Sequence, residues 1–216
     1  MRSYGQYCTV AKALDVVGDR WTLLIVRELL LQGACRYTDL QHGLPGIATN
    51  LLGDRLRELE DRGLVRREAA PPPVATTLYE LTDAGRELEP VLLALGRFGM
   101  RFMPGPTGDE EFRSHWLAFP VSEFLRDGDP EGPPASIEVH TGDRPAVIQL
   151  GAGGISVRLG TVSAPDLVLD GDAPTLLGVL FGGLELPEAR KLGLRVKGST
   201  AVLRRLQVEM TAASSM

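Results

Sequence analysis

The chain has 216 residues, 44% of them hydrophobic, with a mean hydropathy of zero and a formal charge of −5. That length accommodates two modest domains, each able to bury a core without disulfide or metal staples. No apolar run approaches the ~20 residues of a membrane span, no signal-like order of basic, apolar and small residues opens the chain, and Cys8 and Cys35 form no CxxC pair, so a cytoplasmic protein with reduced thiols is expected.

The acidity is uneven. Of 23 Lys/Arg and 28 Asp/Glu, 13 of each fall in residues 1–104, leaving 10 against 15 beyond. A neutral half can still present a basic surface to a polyanion, because the positions of charges matter more than their sum. Residues 103–109 (MPGPTGD) are too rich in Pro and Gly to continue a helix and read as a linker. The division expected is therefore 1–104 and 105–216, in an α+β protein.

Val10, Ala13, Leu14 and Val17 recur at helical spacing, and Gly18-Asp19 ends that helix while offering Asp19 as N-cap of the next. The second helix carries Trp21, Leu24, Ile25 and Leu29. Cys35 falls in a turn and reads as a bland surface residue. Thr38 to Gln41 fits a capping box, which starts a short helix. After the turn of Gly43 to Gly46, Leu52, Leu56 and Leu59 give a helix that Gly63 stops. Residues 64–68 and 77–81 form a hairpin around the proline-rich tip at 70–75. Thr82-Asp83 caps a last helix, interrupted or restarted at Pro90. Its residues Leu88, Val91, Leu95, Phe98 and Phe102 make a seam suited to another helix.

This order is a winged helix-turn-helix, in which the second helix of the pair enters the major groove. The residues facing away from its leucines are Thr49, Asn50, Gly53, Asp54 and Arg57. Asn can bond an adenine edge, Arg a guanine edge or phosphate, and Thr a thymine methyl. Arg36, Arg55, Arg66 and Arg67 are expected at the phosphates, with Thr38 beside them. Taken alone, a leucine-striped helix with an Arg/Glu outer face is equally a solvated amphipathic helix; the ordered series around it favours DNA.

The motifs CTVAKALDVVGDRWTLLIVREL (8–29), LPGIATNLLGDRLREL (44–59) and YELTDAG (79–85) closely resemble the HxlR family of winged-helix regulators. The resemblance implies a homodimer built from the N- and C-terminal helices of the domain, a recognition helix starting near residues 48–50, and control by small molecules or redox stress. Ala48 replaces the Ser usual at the cap, so either Thr49 caps instead or the helix start loses about 1 kcal/mol, and Val74 follows Pro73 where the wing often carries Arg. Cys8 matches the position of the sensing cysteine of some members; otherwise it is a small hydrophobe at the dimer contact.

Beyond the linker, Asp109 to Glu111 reads as a helix start. Residues 136–140, 146–150, 155–159 and 167–169 read as strands of an antiparallel sheet. A capped apolar helix follows Asp172, and 194–199 lead into another with Val202, Leu203 and Leu206. The series DLVLDGD (166–172), apolar helix, VKG (196–198) looks like a sterol-carrier-protein-like domain. That resemblance implies an apolar pocket between sheet and helices, for which Trp116, Phe119, Phe124, Leu176, Leu177, Leu180 and Phe181 are candidates; ordinary core packing is the alternative.

No nucleophile and base pair points to an enzyme, and His42, His115 and His140 have no metal-ligand spacing, so neither catalysis, metal nor cofactor is expected. The expected partners are operator DNA, a second copy of the chain and a small hydrophobic ligand, with no membrane. A hydrophobe carrier that dimerises through its first domain and a thiol-based redox regulator acting through Cys8 are the alternatives.

Overall fold

The computed structural model describes residues 3–70, 76–103 and 110–209. The chain divides into two compact units, Met1–Met100 and Arg101–Met216.

In the first unit, α1 (Thr9–Val17), α2 (Thr22–Gln32), α3 (Tyr37–His42) and α4 (Thr49–Asp61) precede the hairpin of β2 (Val65–Ala69) and β3 (Thr77–Leu81), then α5 (Asp83–Arg86) and α6 (Glu89–Met100). A two-residue strand, β1 (Cys35–Arg36), joins the hairpin in the order β1-β3-β2. Ile25, Val26 and Leu29 of α2, Leu40, Leu44, Leu52, Leu56 and Leu59 of α4, Val65 and Leu81 form the buried core. Each such side chain contributes about 1.5–3 kcal/mol relative to exposure. Gly63 closes α4 with positive φ while Leu64 N–H donates to Leu59 O at 2.9 Å, the expected glycine stop. Pro90 is the second residue of α6, so the last helix restarts there.

Three expected caps differ. Asp19 does not cap α2; Trp21 occupies the cap position in the left-handed region (φ 80°), and the Asp19 carboxylate goes elsewhere. The Thr38 capping box does not form, because the helix begins at Tyr37. The Asp39 carboxylate accepts from Arg36 N–H at 3.0 Å, and Gln41 turns to Thr49. Ala48 is the cap residue of α4 and gives no side-chain bond, with Thr49 already inside the helix.

A buried charge sets the entry to the helix-turn-helix. Glu28 is fully buried and accepts from Arg27 Nη2 at 2.7 Å and Gln32 Nε2 at 2.7 Å. A side-chain carbon at Gly43 would stand 2.0 Å from Glu28 Oε2, so the turn needs glycine for space. A paired, hydrogen-bonded carboxylate is the form in which burial is tolerated.

The second unit begins not with a helix at Glu110 and Glu111 but with a 3₁₀ turn, Ser114–Leu117. It continues through α7 (Ala118–Phe124) and β4 (Leu125–Asp127) to a sheet of β5 (Ala135–Thr141), β6 (Arg144–Gly151), β7 (Gly154–Leu159), β8 (Leu167–Asp170) and β9 (Arg195–Gly198). Between β8 and β9 lie α8 (Ala173–Leu180), capped by Asp172, and α9 (Leu186–Lys191). Thr200–Arg205 is a 3₁₀ turn rather than an α-helix, and β10 (Leu206–Val208) pairs with β4.

The sheet order is β7-β6-β5-β8-β9. It is not wholly antiparallel: β8 runs parallel to β5, with Ile137 opposite Leu167 and Val139 opposite Leu169. Two tight hairpins make β5-β6-β7 a meander, whereas the 160–166 connection carries the chain to the far side of β5. Val162 N–H donates to Glu138 Oε2 at 3.0 Å along that crossing. Ile137, Val139, Ile148, Leu150, Leu167 and Leu169 join Leu117, Val121, Leu125, Leu176 and Leu180 in one core.

Arg205 ties the end of this unit to its beginning, with Nε and Nη2 on the two oxygens of Asp127 at 3.0 and 2.6 Å. The bidentate bond holds the Asp127 carboxyl below the usual carboxylate range. Its folded pKa being depressed, its stabilising contribution is present at neutral pH and fades as acid protonates it.

Candidate nucleic-acid interface

The leucines at 52, 56 and 59 pull one face of α4 into the core and leave Thr49, Asn50, Asp54 and Arg57 exposed, with Gly53 half-buried between them. Four of the five expected base-facing residues thus share an open face. Arg57 and Asp54 form an ion pair on that face, both side chains being more than half exposed. Such a pair gives way readily to a stronger anion, since exposed ion pairs are worth little. Arg36 and Thr38 are exposed at the start of α3.

Two neighbours hold the N-terminal end of α4. Tyr37 Oη donates to Thr49 O, and Gln41 Nε2 donates to Thr49 Oγ1 at 2.8 Å. The Tyr37 ring also meets Tyr79 of β3 at 6.4 Å between centroids, so it spans recognition helix and hairpin. Burial raises its hydroxyl pKa. Sequence reasoning passed over Tyr37; its place directly after Arg36 and one helix before the leucines was the available signal.

The arginines divide differently from expectation. Arg55 is turned away from the open face: its side chain is 18% exposed, its Nη1 lies 2.7 Å from Asp19 Oδ2, and it also pairs with Glu58. Two carboxylates thus already surround the guanidinium that the sequence places at a phosphate. Arg66 and Arg67 stand exposed on β2, next to Glu80 at 2.8 Å and Glu60 at 3.1 Å. The Val74 position of the wing tip lies outside the described residues.

The sequence profile of the HxlR-like helix-turn-helix family matches residues 16–106. An uncharacterized HTH-type transcriptional regulator of Synechocystis, sll1512, is 37% identical over 95 residues, which are 44% of this chain and 70% of that protein. YvaP, an uncharacterized HTH-type transcriptional regulator of Bacillus subtilis, is 35% identical over 92 residues, 43% of this chain and 84% of YvaP. This chain belongs to the HxlR-like helix-turn-helix family. The reduced form of the regulator YodB from B. subtilis shares 29% identity, with 47% of this chain and 100% of YodB aligned at a TM-score of 0.41.

Outside the helix-turn-helix, apolar side chains before and on α1, and on and after α6, are exposed. Val10 is 65% exposed, Leu14 44%, Val91 44% and Leu95 44%, with Tyr7, Phe98 and Phe102 exposed as well and Leu88 half-buried. Of the apolar residues at helical spacing on α1, Val17 is buried, as is Ala11, whereas Val10, Ala13 and Leu14 are exposed.

The two cysteines of this HxlR-like chain have opposite surroundings. Cys8 is exposed at the start of α1. Cys35 is no surface residue; it is buried in β1 opposite Tyr79, and burial pushes its thiol up to about 12, assisted by Asp39 and Glu28. Iodoacetamide at pH 8 should therefore add one equivalent to the native protein, on Cys8, because the thiolate is the nucleophile. Mass spectrometry of the digest checks this; rapid labelling of Cys35 would contradict it.

In the second unit, Phe124 and Phe181 come together edge to face at 6.5 Å, while Trp116 meets Phe112 and His115 instead. Leu176 and Leu180 are sealed in the core, Phe124 is buried, and Trp116, Phe119, Leu177 and Phe181 are half-buried. A hollow of about 670 Å³ is bordered by Ser136, Gln149, Ser156 and Asp166, and by none of these seven residues. Leu176 and Leu180 lie in the core of this unit, and Leu177 and Phe181 pack against it.

Proposed function

We propose that this HxlR-like protein is a sequence-specific DNA-binding regulator that acts as a homodimer, with α4 as recognition helix. The observation that supports this best is the open face of Thr49, Asn50, Asp54 and Arg57 on a helix that buries Leu52, Leu56 and Leu59 behind it. Asn50 would read a base edge, Arg57 would leave Asp54 for a guanine or phosphate, and Arg36 and Thr38 would approach the backbone. The exposed apolar side chains on α1 and α6 would pair two copies, since a two-fold dimer sets two recognition helices one DNA turn apart.

Asn50→Ala and Arg57→Ala are each expected to cost about 1–3 kcal/mol in operator binding while leaving the dimer intact. Fluorescence anisotropy with specific and scrambled duplexes measures this. An unchanged ratio of the two affinities in both variants would mean that α4 is not the reading element.

In this reading the second unit is a sterol-carrier-like domain, and a small apolar ligand controls DNA affinity from the cytoplasm. Its entry would part Phe124 from Phe181 and open the half-buried Leu177 beside the closed core. Saturable uptake of a fluorescent fatty-acid probe supports that role; no saturable binding contradicts it. No described helix is long and apolar enough to cross a membrane. The exposure of Cys8 favours a second reading, thiol-based sensing, for which diamide must change operator affinity in the wild type but not in Cys8→Ser.

A further inference from the structure

Residues 19–21, the elbow between α1 and α2, bond to α4 at one place and approach the turn before it at another. Asp19 Oδ2 lies 2.7 Å from Arg55 Nη1 in the middle of α4. The Trp21 ring reaches the turn before α4: a side-chain carbon at Gly46 would stand 3.9 Å from Trp21 Cη2. Trp21 does so from a left-handed backbone conformation, the one non-glycine residue with positive φ among the described residues. Strain of that kind persists only where surrounding contacts enforce it.

The surroundings of Arg55 are those of a strut. Its guanidinium bonds Asp19 and Glu58, while its Nε is buried without a hydrogen-bond partner. Arg55, Asp19 and Glu58 together carry a net negative charge, so the cluster as a whole does not favour a phosphate. The sequence alone places Arg55 beside Arg57 as one more DNA contact; the fold gives the two neighbours different tasks.

We propose that Arg55 and Asp19 are positioning residues, a strut that fixes α4 against the α1–α2 elbow, and that Arg55 makes no phosphate contact. This rests on the reading of α4 as the recognition helix. The strut lets a shift in α1 reach the DNA-facing side chains without any contact to DNA.

Asp19→Asn separates the two roles by sign. Were Arg55 a phosphate contact, removing the nearby carboxylate would strengthen DNA binding, by freeing a cation and deleting a repulsive anion. The strut predicts about tenfold weaker operator binding for Asp19→Asn and for Arg55→Gln, with the double variant no worse than either single one. It also predicts that the slope of log K against log salt stays at the wild-type value in Arg55→Gln, whereas loss of a phosphate contact lowers it by about 1. Tighter binding by Asp19→Asn, or a reduced slope in Arg55→Gln, overturns the proposal.

Trp21 emission in a Trp116→Phe background supplies a reading without DNA. The strut predicts the same emission shift in Asp19→Asn and Arg55→Gln; unchanged emission in both overturns it. A wild-type protein that binds no DNA would refute the reading of α4, while the emission measurement would still decide whether elbow and helix are coupled.

Discussion

Replacing Leu95 by Asp is expected to give monomers at micromolar concentration and to weaken operator binding by at least about 100-fold, the lower range of what linking two binding sites contributes. Leu95 is 44% exposed on α6, in line with Val91 and on the same unit as the outward Val10 and Leu14 of α1. An isolated chain needs none of these side chains for its own core, which lies among Ile25, Leu29, Leu52, Leu56 and Leu59. The variant should therefore keep its helical content and melting temperature at the level of the monomer's own stability. Sedimentation equilibrium with anisotropy on a full operator tests this. A dimeric Leu95→Asp, or a monomeric wild type that binds its operator as tightly, would contradict the assignment of the interface.

Leu176→Ala is expected to cost about 3 kcal/mol, within the range for leucines removed from closed cores. Leu176 on α8 has no exposed surface and packs with Ile137, Ile148 and Leu167 of the sheet and Leu117 of the lead-in. Removing its side chain leaves a void that the parallel pair β5-β8 and the helices around it cannot fully collapse. For a unit of this size the loss corresponds to a fall of roughly 10–15 °C in Tm. Calorimetry decides. A loss below about 1 kcal/mol would mean that the seam between α8 and the sheet is not closely packed.

What the sequence revealed and what it concealed follow from the range of the interactions involved. The leucine period of α4, the glycine stop at Gly63, the Thr82 cap and the restart at Pro90 are local, and each reads directly from neighbouring residues. The capping roles given to Asp19 and Thr38 failed because the helices start elsewhere, at Tyr37 in place of Thr38 and after Trp21 in place of Asp19. Long-range contacts also take up side chains that the local pattern assigned to caps: the fold brings Arg55 to Asp19 and Thr49 to Gln41. β1 is two residues long, too short for any alternation to show, so Cys35 looked like a turn residue.

In the second unit the strands were visible but their directions were not. Ile137, Val139, Leu167 and Leu169 alternate in the same way whether their strands run parallel or antiparallel, and only the crossing at 160–166 decides. Burial posed a similar problem: an apolar helix such as α8 fits a pocket wall and a filled core equally well until its neighbours are known.

The face of α4 carries the central claim, and one titration tests it most directly. The full chain is titrated against a labelled duplex from immediately upstream of its own coding sequence and against a scrambled duplex, across a range of salt. The account predicts an affinity on the order of 10⁻⁸ M for the first duplex, a preference of about 10³ or more over the second, and a steep loss with salt. Equal affinity for both duplexes, or no binding at micromolar protein, would contradict it.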